Sequence, residues 1–507
     1  MILRRAFKIF LFLLILFSLY LSAYPVLHGD IGYNTDIARD FLILQDAVNT
    51  HKLPLIGPRT GGVDGLFHGP LWPWINLPVF VLSHGNPIAT GWFWIFLICS
   101  SVFVTYYVGK KLFNEYVGFL SGLMMSLMSV AYSSSLLNPF GAILFSPLFF
   151  YFFYQYIKKG KPKSLLLAFF TTGLLIQFEV AFGGPILILS LIYLLVFLYK
   201  KKKLRHLLSL FILIVPLSTY ILFDLRHGFL QLRSIFMHIG SQTGSGKIPL
   251  SSFVQNRVDG LINSILLIPY APFILTLSIL LLFCYLMIKS YKDKKLKNRE
   301  FYLLFGYFYL GYWPLSFYLN GYVLGFHVFP FIPVAIIILC SSYLLIRKEI
   351  FATIFLFVLY FNLVPAQNKV NAFPAESGSS AASWKFNYQL AKTVFQDANS
   401  DFGFYVLTPD EWGYGPRYAL VYAGKAYSGK TAEPNTKKHI TYVIMAPPIN
   451  GMNNNGQWWI KNRVRIDKAP ESVINYVNEY RVEKFILTND EIKIPSDPNL
   501  VNGLFFR

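Results

Sequence analysis

The chain has 507 residues, of which 55% are hydrophobic, 18% aromatic and only 14% charged, the profile of a polytopic membrane protein rather than of a soluble enzyme. Its net charge of +20 would suit nucleic acid, but the distribution excludes that partner: residues 365 to 507 carry 16 basic and 13 acidic groups, so nearly all of the excess lies in residues 1 to 364. Cys99, Cys284 and Cys340 all fall in apolar runs, and neither a disulfide framework nor a thiolate metal site is implied.

The first apolar run lacks a small-x-small cleavage site before the loop that follows and reads as an uncleaved anchor. Beyond it, the basic residues gather in short loops: Arg4, Arg5 and Lys8; Lys110 and Lys111; Lys158 to Lys163; Lys200 to Arg205; Lys289 to Arg299; Arg347 with Lys348. Placing all of these in the cytoplasm makes the spans alternate without exception, with the N-terminus inside and residue 365 onward outside. Runs long enough to cross a hydrocarbon layer of roughly 30 Å fall near 7 to 24, 87 to 109, 116 to 135, 138 to 157, 164 to 182, 184 to 199, 207 to 224, 263 to 288, 301 to 319, 323 to 345 and 350 to 364. The expected architecture is therefore an α-helical membrane domain of about eleven transmembrane helices over residues 1 to 364, followed by a small mixed α/β extracytoplasmic domain over 365 to 507.

Residues 25 to 86 form the first outer loop. Of the twelve Asp and Glu in residues 1 to 364, five (Asp30, Asp36, Asp40, Asp46 and Asp64) lie in it, and carboxylates gathered at a bilayer surface point to function. Asn34 is placed to cap a helix starting near Thr35, with Asp36 in its first turn. Ile37, Phe41, Leu44 and Val48 make one apolar stripe, and Asp36, Arg39 and Asp40 share the opposite side, which predicts a helix lying along the membrane with its acids toward water. Segment 70 to 84 is apolar but interrupted by Pro70, Pro73 and Pro78. Counting it as a crossing would put Lys110 and Lys111 outside, so it reads as an interfacial or re-entrant helix anchored by Trp72 and Trp74 at headgroup depth.

Residues 225 to 262 form a second outer loop. Its GSGK lacks the full spacing and the preceding strand of a phosphate-binding loop. In the C-terminal domain, 384 to 398 has helical periodicity, 402 to 408 and 439 to 446 read as strands, and Pro470 starts a further helix at PESVINYVNEY.

The alternation puts Asn138, Glu179 and Asp224 at outer helix ends, on the same side as Asp36, and together they describe an outward-facing cleft. Asp224, Arg226 and His227, with Arg233 beyond, bring positive charge to the outer membrane edge. Either an anionic lipid headgroup such as a polyprenyl phosphate, or an internal ion pair with Asp224, would supply the partner for Arg226.

This order of features resembles the membrane glycosyltransferases that use polyprenyl-phosphate sugars, the GT-C superfamily that includes protein O-mannosyltransferases and lipid A aminoarabinose transferases. The resemblance covers approximately residues 5 to 345. It rests on the Asp-x-x-Arg element from Asp36 to Arg39 after the first span, and on the Pro-Leu-aromatic element HGPLW from His68 to Trp72. It implies that Asp36 is the base that accepts the acceptor's proton, with Asp40 as the second candidate because Ile37 stands where many relatives have an acid. It also implies that Arg39, His68, Arg226 and His227 surround the donor phosphate, and that the sugar is displaced directly with inversion. Asn138 occupies a place where some relatives have a second carboxylate, so no metal ligand set is carried over. The donor is expected to be a lipid-phosphate-linked sugar and the acceptor a glycan, lipid or protein. The competing classes are a transporter or flippase of lipid-linked sugars, which would favour ionisable groups at mid-span and an internal repeat, and a glycan polymerase or ligase using diphosphate-linked donors.

Overall fold

The computed structural model describes residues 2–60, 65–240, 249–263, 272–318, 322–410, 412–427, 429–448 and 456–500. Asp64 and the SQTGSGK stretch lie outside them. The membrane domain is built from α1 (Ile2–Leu27), α2 (Thr35–Thr50), α3 (Leu71–Leu82), α4 (Pro87–Leu112), α5 (Glu115–Ser129), α6 (Pro139–Lys159), α7 (Pro162–Phe178) and α8 (Val180–Lys201). A 3-10 stretch, Leu204–Leu213, then leads into α9 (Ile214–Arg226), followed by α10 (Leu230–Gly240), α11 (Leu250–Asn263), α12 (Phe273–Lys292), α13 (Arg299–Leu315), α14 (Gly325–Val328), α15 (Ile332–Ser341) and α16 (Lys348–Glu376).

Among the described residues, eight helices are long and apolar enough to cross a membrane, fewer than the eleven expected. Among the described residues each expected run contains a helix, but α5, α7 and α13 have only 15, 17 and 17 residues. From Leu120 to Ser129, α5 is buried without interruption, so its length is set by its neighbours rather than by lipid. α3, with 12 residues, extends about 18 Å at 1.5 Å per residue, well short of a bilayer core.

Asn34 caps α2 as its residue type requires, its side-chain oxygen accepting from the Ile37 N–H at 3.0 Å. The expected exposure of α2 needs correcting. The helix does not lie open on the surface with all its acids in water: Asp36 is exposed, but Ile37, Ala38, Asp40, Phe41, Leu42, Ile43, Leu44 and Ala47 are all buried. The reason is a partner invisible to local periodicity, since α2 is held between α3 and the C-terminal domain. Trp72 is likewise 2% exposed in the core rather than at headgroup depth, whereas Trp74 is half-buried and donates its indole N–H to the Pro54 carbonyl at 3.0 Å.

The C-terminal domain comprises α17 (Trp384–Asp397), α18 (Tyr414–Ala423) and a five-stranded sheet of β1 (Phe402–Leu407), β2 (Ala432–Pro434), β3 (Ile440–Met445), β4 (Ser472–Asn475) and β5 (Arg481–Ile486), in the order β2-β1-β3-β5-β4. β1 runs parallel to β2 and β3, while β5 is antiparallel to β3 and β4. Every residue of β1 and β3 is buried, as continuous apolar runs covered on both faces should be. The helix expected at PESVINYVNEY is a misreading: Ser472–Asn475 is the edge strand β4 and Val477–Glu479 a short 3-10 turn. Val473 and Ile474 are β-branched and the open edge of β5 offers hydrogen bonds, which together outweigh the helix-start signal of Pro470.

Domain and membrane bundle are sewn together around Asp30, which is 2% exposed. Its carboxylate accepts from the Ser377 hydroxyl (2.8 Å), the Ser383 hydroxyl (2.7 Å), the Lys385 N–H (3.0 Å) and its own neighbour's Ile31 N–H (2.9 Å). The Trp384 N–H donates to the Ile31 carbonyl at 3.1 Å, and the Tyr33 N–H to the Ala382 carbonyl at 2.6 Å. Further along the same face, the Tyr418 hydroxyl donates to the Gly85 carbonyl at 2.5 Å and the Lys425 ammonium to the His84 carbonyl at 2.8 Å. α2 is thereby fixed from both sides, and α16 runs unbroken past residue 364 to reach this seam.

Candidate active site

A cavity of about 650 Å³, within the range of small-molecule sites, opens at the end of the bundle that carries the domain. Asp36 and Arg39 of α2, His68 of the loop before α3, Asn138 at the start of α6 and Glu179 at the break between α7 and α8 all line it. Arg59, Ile235 of α10, Tyr318, Tyr322 and His327 of α14 complete the polar and apolar wall.

Local geometry explains each placement. Asp36 and Arg39 are one turn apart on α2 and form an ion pair at 2.6 Å; the Asp36 side chain is 53% exposed and that of Arg39 only 16%. Arg39 also bonds Asp40 at 3.1 Å, so its guanidinium bridges the two acids. His68 sits on a short antiparallel bridge between Arg59 and Phe67, with its own N–H on the Pro58 carbonyl and its carbonyl taken by the Gly57 N–H. This bridge is pressed against the end of α7 through the Gly69 N–H, which donates to the Gln177 carbonyl at 3.0 Å. A Cβ at Gly69 would overlap the Gln177 side chain, which is why glycine precedes Pro70. The Asn138 amide donates to the Phe178 carbonyl at 2.9 Å, joining α6 to the end of α7. Glu179 ends one helix and caps the next, its Oε1 accepting from the Ala181 N–H at 3.1 Å, while Oε2 is buried and has no hydrogen-bond partner among the described residues.

Burial separates Asp40 from Asp36. Asp40 is 8% exposed and lines a different, small apolar hollow with Phe41, Trp72 and Trp94. Burial pushes its carboxyl up to about 6, against the pull of Arg39. Burial pushes the His68 imidazole down to about 3, with Arg39 and His327 adding to the effect, so at neutral pH it is an uncharged hydrogen-bonding group rather than a cation.

The Asp40 shift gives a stability prediction with a definite sign. A carboxyl whose folded value lies above its unfolded one disfavours the folded state progressively as pH rises from about 4 to about 6, by on the order of 3 kcal/mol in full. Asp40→Asn removes that contribution. The fall in the thermal midpoint of detergent-solubilised protein between pH 4 and pH 7 is expected to be smaller in Asp40→Asn than in the parent, and equal falls would show that Asp40 does not ionise in this window.

Besides Asp40, three residues expected in the cleft are not among its lining residues. Asp224 is consumed in building the wall: its carboxylate accepts from the Gln231 N–H (2.8 Å) and the Leu232 N–H (3.2 Å), setting the start of α10, which carries Ile235 into the cavity. His227 stacks on Phe223 at 4.1 Å and contacts the Phe223 carbonyl through Nδ1 at 2.8 Å. Arg226 is exposed at the end of α9. Among the described residues no group of three His, Cys, Asp or Glu is placed to hold a metal ion.

Arg59, Tyr318, Tyr322 and His327 line the cavity without belonging to any of the motifs singled out above. The signal for His327 was present, a lone ionisable group near the start of the apolar run 323 to 345, on the side that the alternation shares with Asn138 and Glu179.

The sequence profile of the family described as Dolichyl-phosphate-mannose-protein mannosyltransferase matches residues 67–222. No curated protein matches the sequence. Among solved structures, ArnT from Cupriavidus metallidurans bound to undecaprenyl phosphate superposes with a TM-score of 0.61 at 11% identity, over 97% of this chain and 99% of that one. The same ArnT in the apo state gives 0.58 at 10% identity, over 95% and 98%. The fold is ArnT-like. The ArnT-like fold extends over membrane bundle and C-terminal domain alike, and the GT-C resemblance read from the sequence holds at that level. An oligosaccharyltransferase from Archaeoglobus fulgidus is more distant, with a TM-score of 0.46 at 10% identity over 85% of this chain and 68% of that one. With eight long apolar helices among its described residues, the ArnT-like chain is an integral membrane protein.

Proposed function

We propose that this protein is a membrane glycosyltransferase that moves a sugar from a polyprenyl-phosphate donor to an acceptor on the extracytoplasmic side. The observation that supports this best is the meeting of an exposed carboxylate, Asp36, with a guanidinium, Arg39, in one cavity of sugar-phosphate size at the end of a lipid-embedded bundle. An ArnT-like fold and the undecaprenyl phosphate in that ArnT structure favour a lipid-borne donor.

In this reading Asp36 takes the proton from the acceptor hydroxyl or amine as its heteroatom attacks the anomeric carbon. The bond from that carbon to the phosphate oxygen breaks, polyprenyl phosphate leaves, and the sugar is inverted. Arg39 neutralises the departing phosphate. The ion pair with Asp36 is then the resting arrangement: a donor phosphate that draws the guanidinium away leaves Asp36 free to act as base. His68, uncharged at neutral pH, contributes a hydrogen bond to the phosphate. Arg226 and His227 lie outside the lining and have no part in this step. The N-terminus is assigned to the cytoplasm and residues 365 to 507 to the exterior.

Purified protein in detergent, given radiolabelled polyprenyl-phosphate sugars and a panel of glycan, lipid and peptide acceptors, is expected to release polyprenyl phosphate and form an inverted glycoside. Consumption of a diphosphate-linked donor with none of the monophosphate donors used would overturn the proposal in favour of a polymerase or ligase.

A further inference from the structure

Helix α10 has two unlike faces. The inner one is committed to the cavity: Gln231 is 3% exposed and accepts from the Phe67 N–H at 3.2 Å, Ser234 packs against Gly65, and Ile235 lines the cavity wall. The outer one lies open. Phe229, Leu232, Arg233, Phe236 and Met237 recur at the i, i+3, i+4, i+7, i+8 spacing of a single helical stripe, all of them exposed, with Phe236 and Met237 at 66% and 72%. A continuous apolar strip of this kind marks an interaction surface.

Two features decide what covers it. The stripe continues a lipid-facing surface: Leu204–Arg226, which ends in α9, is long and apolar enough to cross a membrane, and its exposed Ile221, Leu222 and Leu225 lead into Phe229 through the left-handed turn at Gly228 and Phe229. The stripe is also positively charged. Asp224 is the only acid between residues 221 and 240, and its carboxylate is taken up by the first turn of α10. Arg226 and Arg233 are exposed, and neither side chain makes an ion pair or a hydrogen bond among the described residues. An arginine set among leucine, phenylalanine and methionine suits neither water, which would leave the apolar side chains uncovered, nor the hydrocarbon interior, where its charge would be stranded. It suits the boundary between them, where the stem lies along the acyl region and the guanidinium rises to the phosphates.

We infer that α10 is seated in the headgroup boundary of the leaflet at the domain end of the bundle, and that Arg226 and Arg233 hold the phosphates of anionic diacyl phospholipids there. These lipids belong to the bulk bilayer and are not the donor, whose phosphate is assigned above to the cavity that neither arginine lines. The seat bears on the site, since the same helix carries Ile235 into the cavity wall.

The test is segment-resolved hydrogen exchange on the full-length protein in nanodiscs of phosphatidylcholine, and of an equimolar mixture with phosphatidylglycerol, with no sugar donor present. Amides of residues 230 to 237 are expected to exchange roughly 30-fold more slowly in the anionic discs, about fivefold for each arginine drawn to an anionic surface. Arg226→Gln and Arg233→Gln should each keep about fivefold of that protection and the double variant none, whereas Arg226→Lys with Arg233→Lys, which keeps the charge, should keep most of it. The buried run Leu120 to Ser129 of α5 should exchange equally in every variant and lipid, which separates loss of the seat from loss of the fold.

Equal exchange in the two lipids, or a slowing that the double glutamine variant retains, overturns the inference. So does a slowing produced in phosphatidylcholine by undecaprenyl phosphate at one molecule per protein and not by phosphatidylglycerol, which would give this face to the donor. Because no sugar is transferred, each of these results leaves the transferase reading where it stands.

Discussion

Asp36→Asn is expected to lower the rate of sugar transfer about 100-fold to 10,000-fold, the range lost when a positioned general base is removed. The substitution keeps the size of the side chain and its place in the first turn of α2, so the thermal midpoint should change little and the KM for donor should stay close to the parent value. The loss then appears in kcat, as it does when an interaction made only in the transition state is removed. Asp40→Asn is the informative control. Asp40 lines a separate hollow and meets the reaction only through Arg39, so a modest loss is expected there. If Asp36→Asn kept its full rate while Asp40→Asn abolished transfer, the base would have to be reassigned.

Arg39→Ala is expected to cost roughly 100-fold to 1,000-fold in turnover, the range seen when one preorganised donor to a developing charge is deleted. Unlike Asp36→Asn it should also weaken binding of sugar-free undecaprenyl phosphate. Arg39→Lys should recover only part of the loss, because a single ammonium cannot reproduce the fork with which Arg39 spans Asp36 and Asp40. The bridge has a second consequence. Without Arg39 the buried Asp40 loses the opposite charge that lowers its carboxyl, which should move further above about 6. Undecaprenyl phosphate affinity, read beside turnover, is the measurement that separates phosphate binding from mere support of α2: unchanged affinity would assign Arg39 to the second.

Much of the fold was legible because its causes are local. The Asn34 cap announces α2, and the apolar runs at 402 to 408 and 439 to 446 become β1 and β3. What escaped depends on partners far along the chain. The burial of Asp40 and Trp72 comes from α18 and α3 closing on α2, and neither leaves a mark in the periodicity of residues 35 to 50. The edge strand β4 was hidden by a proline that usually begins helices. At the site, one cavity gathers Asp36, Asn138 and Glu179, the three residues that membrane alternation put on a common side. The same rules said nothing about lateral position around the bundle, which is why Arg226 and His227 share that end without entering the cavity.

The knot of hydrogen bonds at Asp30 bears on how such a protein could be taken apart or recombined. Because residues 377 to 385 furnish most of the donors that this carboxylate gathers, and α18 covers a face of α2, that helix owes its position as much to the tail as to the spans beside it. A graft that exchanged the tail for that of a distant relative would therefore have to carry residues 30 to 50 with it, and evolution could vary the two only in concert.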